Sequence, residues 1–272
     1  MESDWNKVTQ SRKCPVCGRP DWCLISKDGS AVICPRIDTG ATKYIDGSGY
    51  LHVIGEKTKA NYSSSRPAQL PSHNHVMKEI HDGIKLSESS KQVIELADLL
   101  GVQTRSLVDL EIGWSESKNS YAFPMKRRGN QFLGIRFRSI NGSKFSAKGS
   151  KQGLFIPASF SRKKGIVVCE GPTDTAAMLS VGMNAVGLPS CSGGTRLAIE
   201  LAAGIPVVVI ADNDEPGRKS ADRLVKGLKK AGSSQASVVY VDGYKDAREW
   251  YNNGLNKQEL LEKIKESKCT TA

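Results

Sequence analysis

The sequence predicts an α/β protein built on a parallel, Rossmann-like sheet, with an α+β basic subdomain and a small N-terminal β module ahead of it. The sheet is indicated by two apolar runs, residues 166–169 and 207–211, each of which ends abruptly on carboxylates. Short runs of β-branched residues bounded by turns are typical of buried parallel strands. Open α/β sheets bind their ligands just past the carboxyl ends of such strands. We therefore expect Glu170, Asp212 and Asp214 to lie around one point.

Composition narrows the classes of function. The chain has 272 residues and a net charge of +11, an excess that favours a polyanionic partner. No apolar stretch reaches the roughly 20 residues that span a bilayer, and residues 1–5 lack the basic and apolar regions of a secretory signal. We therefore expect a cytoplasmic protein without a membrane partner. Four of the seven cysteines crowd into residues 14–34, which favours a metal site over disulfides.

Residues 1–55 predict a zinc-binding module. A Cys-x-x-Cys turn presents two thiolates to one tetrahedral metal, and residues 24–33 predict a hairpin about an Asp-Gly turn that brings further ligands to it. One structural zinc would supply much of the folding free energy of so small a module. The predicted zinc ligands are Cys14, Cys17, Cys23 and Cys34, with His52 as the alternative to Cys23.

Residues 56–85 predict a flexible linker. They are rich in Ser, Lys, Asn and Pro and show no apolar periodicity. Three histidines lie in this stretch, His73, His75 and His81. Because they form no metal-binding spacing with cysteine or carboxylate, we expect them to be solvated.

Residues 86–162 predict the basic α+β subdomain. Apolar residues at helical spacing, interrupted by a glycine, indicate two short helices, and residues 121–125 and 132–138 indicate two strands about a turn. No acidic residue occurs between Glu116 and Glu170, whereas the same interval holds twelve lysines and arginines. A field of one sign on a strand face suits a phosphate backbone or a nucleoside triphosphate. The predicted nucleotide- and template-binding residues are Lys126, Arg128, Arg136, Arg138, Lys144 and Lys148.

Residues 163–272 predict the parallel sheet, with helices between successive strands. Asp212 and Asp214 lie on one side of an extended backbone, and clustered carboxylates of this kind suit a cation such as Mg²⁺. Asp174 lies in the first turn of the helix after the first strand, where it either favours the helix dipole or joins the metal site. Asp246, after the fourth strand, is a further candidate ligand.

These motifs resemble the TOPRIM domain of bacterial and phage primases, topoisomerases and some nucleases. The resemblance rests on Glu-Gly-x-x-Asp at 170–174, on Asp-x-Asp at 212–214 followed by Pro-Gly, and on Lys-Asp-Ala at 245–247. The zinc module, the linker and a basic subdomain with Phe-Pro-Met and Gly-Ile-Arg complete the pattern. This layout is similar to the primase half of phage primase–helicases.

The resemblance implies a DNA primase, a nucleotidyltransferase that makes short RNA primers on single-stranded DNA from ribonucleoside triphosphates during replication. It implies that Glu170, Asp212 and Asp214 are catalytic and hold Mg²⁺ or Mn²⁺, and that the zinc module binds template. No Walker-type loop is present, so the expected partner is a separate replicative helicase in a bacterium or a phage-infected host. The alternatives are a TOPRIM-type metal-dependent nuclease and a non-catalytic nucleic-acid-binding adaptor, of which the intact carboxylates disfavour the second.

Overall fold

Three β-sheets organise the computed structural model, which describes residues 5–45, 48–54, 78, 81, 84–191 and 193–269. The N-terminal sheet is antiparallel, with strand order β1-β2-β3-β5-β4. Its strands are β1 (Trp5–Lys7), β2 (Leu24–Ser26), β3 (Ala31–Cys34), β4 (Lys43–Ile45) and β5 (Gly49–Val53). The predicted hairpin is formed by β2 and β3, and Gly29 makes its turn with a φ of 77°.

The basic subdomain combines two helices with a second antiparallel sheet, as the sequence predicts. Its elements are α1 (Lys91–Leu100), α2 (Thr104–Asp109), β6 (Gly113–Ser115), β7 (Ser120–Arg127), β8 (Gln131–Ser139) and β9 (Lys144–Ser146), with strand order β6-β7-β8-β9. Gly101 ends α1 in the left-handed conformation, with a φ of 68°. Along β8, Ile135 and Phe137 are buried, whereas Arg136 and Arg138 point to the other face and are half-buried.

The C-terminal sheet is parallel, with strand order β11-β10-β12-β13, so all its carboxyl ends lie at one edge. Its strands are β10 (Ile166–Glu170), β11 (Ala185–Leu188), β12 (Val207–Ala211) and β13 (Ser237–Tyr240). Its helices are α3 (Gly171–Ser180), α4 (Thr195–Ala202), α5 (Glu215–Lys230), α6 (Ala247–Asn252) and α7 (Lys257–Cys269). In the described part of the chain, we find no helix with the length and apolar character needed to cross a membrane.

The basic subdomain and the parallel sheet share one hydrophobic core. Phe123 of β7 and Val167 of β10 lie in the same buried cluster. Phe155 and Gly187 exchange two backbone hydrogen bonds, of 2.9 and 3.0 Å, which ties the subdomain to edge strand β11. A Cβ atom on Gly187 would come within 2.3 Å of the Thr175 hydroxyl oxygen, so this close approach requires glycine. This backbone pairing between the subdomain and β11 positions β8 and β9 opposite the carboxyl edge of the parallel sheet.

Residues near the end of the predicted linker pack onto the basic subdomain. His81 is fully buried, with its Nε2 2.6 Å from the carbonyl oxygen of Glu111 and its ring centroid 5.1 Å from that of Phe132. The Ile84 carbonyl accepts a backbone hydrogen bond of 2.8 Å from β6. The expectation that His81 is solvated is therefore wrong, because the subdomain encloses it. Most of the linker, including His73 and His75, lies outside the described residues.

Candidate active site and zinc centre

A cleft of about 330 Å³ lies between the carboxyl edge of the parallel sheet and strands β8 and β9. Its acidic lining residues are Glu170, Asp174, Asp212 and Asp246, and its basic ones are Arg136, Arg138, Lys144, Lys245 and Arg248. The acidic side chains come from the sheet, and three of the basic ones come from the opposing strands. Carboxylates and cations that are far apart in the sequence therefore meet in one cavity.

Each acidic residue of the cleft is positioned by the end of a secondary-structure element. Glu170 ends β10 and is the N-cap of α3, and Asp212 follows β12 directly. Asp246 and Asp174 each accept a hydrogen bond from a backbone N–H in the first turn of α6, at 2.8 and 3.0 Å. The parallel topology thus gathers four carboxyl groups at one edge, and two of them are held by α6.

Asp214 does not line this cleft. Its side chain is exposed and caps α5 by accepting a hydrogen bond of 2.6 Å from the backbone N–H of Gly217. The predicted trio is therefore divided in this structure, with Glu170 and Asp212 on the cleft wall and Asp214 engaged at the start of a helix.

Burial and mutual repulsion disfavour simultaneous ionisation of the cleft carboxyl groups. Burial, followed by the charges of Asp174 and Glu170, raises the pKa of Asp212 to about 8. Burial and the charge of Asp246 raise the pKa of Asp174 to about 7. Oδ1 of Asp212 is buried and has no hydrogen-bond partner among the described residues. Oxygen ligands that repel one another and include an open acceptor fit a divalent cation such as Mg²⁺.

The basic side of the cleft has unpaired donors. Nε of Arg136, on β8, and Nε of Arg248, on α6, are buried and have no hydrogen-bond partner in the described part of the chain. Burial and the charge of Arg248 lower the pKa of Arg138, while Asp174 opposes that shift. Buried donors of this kind call for an anionic acceptor such as phosphate. Sequence reasoning missed Arg248, although its place in the helix after the fourth strand was a usable signal.

Lys126, a predicted template contact, lies in the core of the basic subdomain. Its side chain is fully buried, and its ammonium group pairs with Glu111 and lies 5.2 Å from the centroid of Phe132. Burial, followed by the charge of Lys85, lowers the pKa of Lys126 to about 8. This lysine therefore cannot reach a strand in the cleft in this structure, because its charge is used inside the fold.

Arg128 and Lys148 are exposed but lie outside the cleft. Arg128 is in the turn between β7 and β8, at the opposite end of the hairpin from Arg138. Nζ of Lys148 lies 3.4 Å from the hydroxyl oxygen of Ser48, so this side chain contacts the N-terminal module. The predicted basic residues that do line the cleft are Arg136, Arg138 and Lys144.

The four predicted cysteines form a metal-binding cluster in the N-terminal module. The sulfur atoms of Cys14, Cys17, Cys23 and Cys34 all lie within 4.8 Å of one another, and three of these residues are buried. His52 stands apart from the cluster, because its Nε2 lies 2.9 Å from the carbonyl oxygen of Ile37. Cys23 rather than His52 therefore completes the set, and four thiolates at this spacing fit one tetrahedral zinc.

Arg36 donates hydrogen bonds to the cysteine cluster. Its Nη1 donates to the sulfur atoms of Cys17 and Cys23 at 3.6 and 3.4 Å. The same guanidinium donates to the backbone carbonyl and to the carboxylate of Asp21, both at 2.8 Å. Four thiolates around one zinc ion carry excess negative charge, and hydrogen bonds from a cation reduce it.

The parallel sheet is similar to a known protein family. Residues 167–251 match the family described as Toprim-like, and this stretch contains all four cleft carboxylates. Because these residues are similar to that family, we refer to residues 167–251 as the Toprim-like domain. The cations on β8 and β9 lie outside the Toprim-like domain, so the cleft is built from two parts of the chain. No curated protein matches this sequence.

Solved primase structures share the fold. The zinc-binding and RNA polymerase domains of the Aquifex aeolicus primase match with a TM-score of 0.57 and 16% identity, over 97% of this chain and 81% of that chain. The primase fragment of the bacteriophage T7 primase-helicase matches with a TM-score of 0.53 and 16% identity, over 96% and 99%. A DnaG primase catalytic domain bound to single-stranded DNA matches with a TM-score of 0.57 and 12% identity, over 72% and 81%. At these identities, the likeness shows a shared fold around the Toprim-like domain.

Proposed function

We propose that this chain is a DNA primase, which joins ribonucleotides into short RNA primers on single-stranded DNA during replication. The cleft carries this proposal, because Asp212, with an open carboxylate oxygen, and Arg136, with an unpaired Nε, line one cavity. A metal ion bound to a nucleoside triphosphate would bind to the Asp212 carboxylate, and the phosphate oxygens would accept hydrogen bonds from Arg136. The fold shared with solved primases supports the same reading, and one of those primases is bound to single-stranded DNA. The setting we propose is the cytoplasm, with a replicative helicase as partner.

Glu170, Asp212 and Asp214 are the proposed catalytic residues and would hold Mg²⁺ or Mn²⁺, with Asp174 and Asp246 as additional ligands. Asp214 would turn from its cap on α5 towards the cleft to take this role. A divalent cation held there would neutralise the triphosphate charge, so that a 3′-hydroxyl could attack the α-phosphate and displace pyrophosphate. The hydrogen bonds from α6 hold Asp174 and Asp246 in place for this task.

The basic wall holds the negatively charged substrates. Arg136 and Arg138 on β8 and Lys144 on β9 face the carboxylates across the cleft, where they would orient the triphosphate and the template backbone. The half-buried guanidinium groups are screened less by salt than exposed lysines are. The zinc module would contact the template beside this wall, because Lys148 already touches Ser48 of that module.

Primer synthesis tests the proposal. Purified protein is incubated with single-stranded DNA of mixed sequence, labelled ribonucleotides, and Mg²⁺ or Mn²⁺. We expect short metal-dependent RNA products, which Asp212→Asn abolishes without weakening template binding more than about twofold. Glu262→Gln, an exposed acid on α7, is the matched control and should retain synthesis.

Other outcomes would refute the assignment. A shortened DNA template in place of RNA products would identify a nuclease. Template binding with neither product, in both metals, would indicate an adaptor. Equal loss of binding and synthesis in Asp212→Asn would contradict the separate roles given to the carboxylates and the basic wall.

A further inference from the structure

A second groove, of about 540 Å³, lies at the far end of the β7–β8 hairpin from the cleft. We call it the hairpin groove, and its main lining residues are Arg127, Arg128, Pro157, Phe160, Arg162 and Lys163. Among the described residues, none lines both this groove and the cleft. From Asn130 to Arg138, β8 advances about eight residues, which at roughly 3.3 Å per residue is a distance of roughly 26 Å. The hairpin therefore connects two separate concave surfaces.

The charged side chains that line the hairpin groove are all cationic, and no acidic residue among the described ones lines it. Arg128 and Lys163 both line the groove, are exposed and form no ion pair with any described residue. Arg162 is fixed instead, since its guanidinium donates to the backbone carbonyls of Leu201 and Ala203 at the end of α4. Two free cations beside a rigid one can bind phosphates without losing internal partners.

The floor of the hairpin groove is apolar and firmly held. Ile156 and Leu201 belong to the core beneath the sheet, and Phe160 is half-buried above them. Ser161 exchanges hydrogen bonds of 3.1 and 2.8 Å with the side chain of Asn184, which anchors the rim. Cations above an aromatic and apolar floor match a single nucleic-acid strand, whose phosphates would meet the rim and whose bases would meet the floor.

We propose that the hairpin groove is a second contact site for the template strand, roughly 26 Å along β8 from Arg138 in the cleft. The inference rests on the proposed function and extends it from the cleft to the path of the strand. Charge continuity favours nucleic acid over an acidic protein, because the chain between Glu116 and Glu170 has no acidic residue and joins the groove to the cleft. A template long enough to reach both surfaces would bind more tightly than a short one.

Binding measured against template length tests this inference. Anisotropy titrations compare labelled single-stranded DNA of about 4 nucleotides, which fits the cleft alone, with DNA of about 24 nucleotides, which spans both surfaces. For Arg128→Glu/Lys163→Glu, we expect about tenfold weaker binding of the long DNA and a salt slope lower by about 1.4, at about 0.7 for each lost phosphate contact. Binding of the short DNA should change less than twofold. Lys226→Glu/Lys229→Glu on α5 makes the same charge change at exposed positions away from the groove and should have little effect.

Two results would overturn the inference. Equal weakening of long and short DNA would mean that the substitutions act only through the general field of the protein. Equal weakening of long-DNA binding by the groove variant and the α5 variant would also mean that only the overall charge of the protein matters. Primer synthesis measured in parallel separates the two proposals, because length-dependent binding without synthesis would refute the primase assignment and still support the groove as a nucleic-acid contact.

Discussion

Asp212→Asn should stabilise the metal-free protein and remove its response to divalent metal. Burial and neighbouring carboxylates raise the pKa of Asp212 to about 8, so the folded state binds a proton more tightly than the unfolded state does. The wild type therefore loses stability as the pH rises from about 4, the ordinary range of Asp, to about 8. Asparagine has no charge to bury and escapes this loss.

The size of the effect follows from the pKa shift. Between the ordinary value of 3.8 and pH 7 lie about three pH units, which at about 1.4 kcal/mol each set an upper bound of about 4 kcal/mol. Asp212 is only half-buried, so solvent screening reduces the expected gain to about 1–2 kcal/mol. For a unit of this size, that is a rise in Tm of about 2–8 °C.

Thermal melts at pH 5 and pH 8, in EDTA or in Mg²⁺ or Mn²⁺, measure both parts of the prediction. In EDTA, the variant should melt above the wild type, and the gap should widen at the higher pH. Added metal should raise the wild-type Tm and leave the variant nearly unchanged, because only the wild type binds it strongly. Asp214→Asn, which keeps an acceptor at an exposed helix cap, should show no such gain in EDTA. A lower Tm for Asp212→Asn, or a gap that does not grow with pH, would refute the reasoning.

Three further predictions concern single residues outside the cleft. Arg36→Met should release zinc to a chromogenic chelator about tenfold faster than the wild type, because it removes two N–H···S hydrogen bonds. Arg19→Met, an exposed control, should release zinc at the wild-type rate. Equal release rates for the two variants would contradict this prediction. Lys126→Met should lower the free energy of unfolding in urea by about 1–3 kcal/mol, because Glu111 then keeps only the half-exposed Lys85 as a partner. The double variant Lys126→Met/Glu111→Gln should recover part of this loss, and no recovery would argue against the ion pair. Gly187→Ala should lower the free energy of unfolding by about 2 kcal/mol or more, towards the upper range for overpacking. Gly165→Ala should have a smaller effect, because the nearest contact of its added Cβ atom would be at 3.6 Å. Similar urea midpoints for the two variants would refute the close approach at Gly187.

Local pattern determined much of this protein. Runs of β-branched residues that end on acids marked β10 and β12, and their parallel pairing follows from the alternation of strands and helices. Period-two alternation placed Arg136 and Arg138 on one face of β8. The cysteine spacing was enough to predict a four-sulfur cluster, because a tight turn and a short hairpin bring the ligands together without help from the rest of the chain.

The composition of the cleft required the tertiary structure. In the sequence, Lys126 is one of several cations in a basic segment. The fold buries it against Glu111, and this pairing could not be predicted from the sequence. Arg248 enters the cleft because α6 packs beside α3 and aims its first turn at Asp174. His81 is enclosed by Phe132 and Glu111, although its neighbours in sequence resemble a solvated linker.

The division between the two levels has a physical reason. Backbone periodicity and ligand spacing are local properties, so the sequence alone was enough to predict the strands, the four-cysteine cluster and the acidic edge at Glu170 and Asp212. Burial, unpaired atoms and shifted pKa values depend on which side chains from distant segments share a low-dielectric space. Only the tertiary structure could therefore decide that Asp214 caps a helix while Asp174 and Asp246 line the cleft.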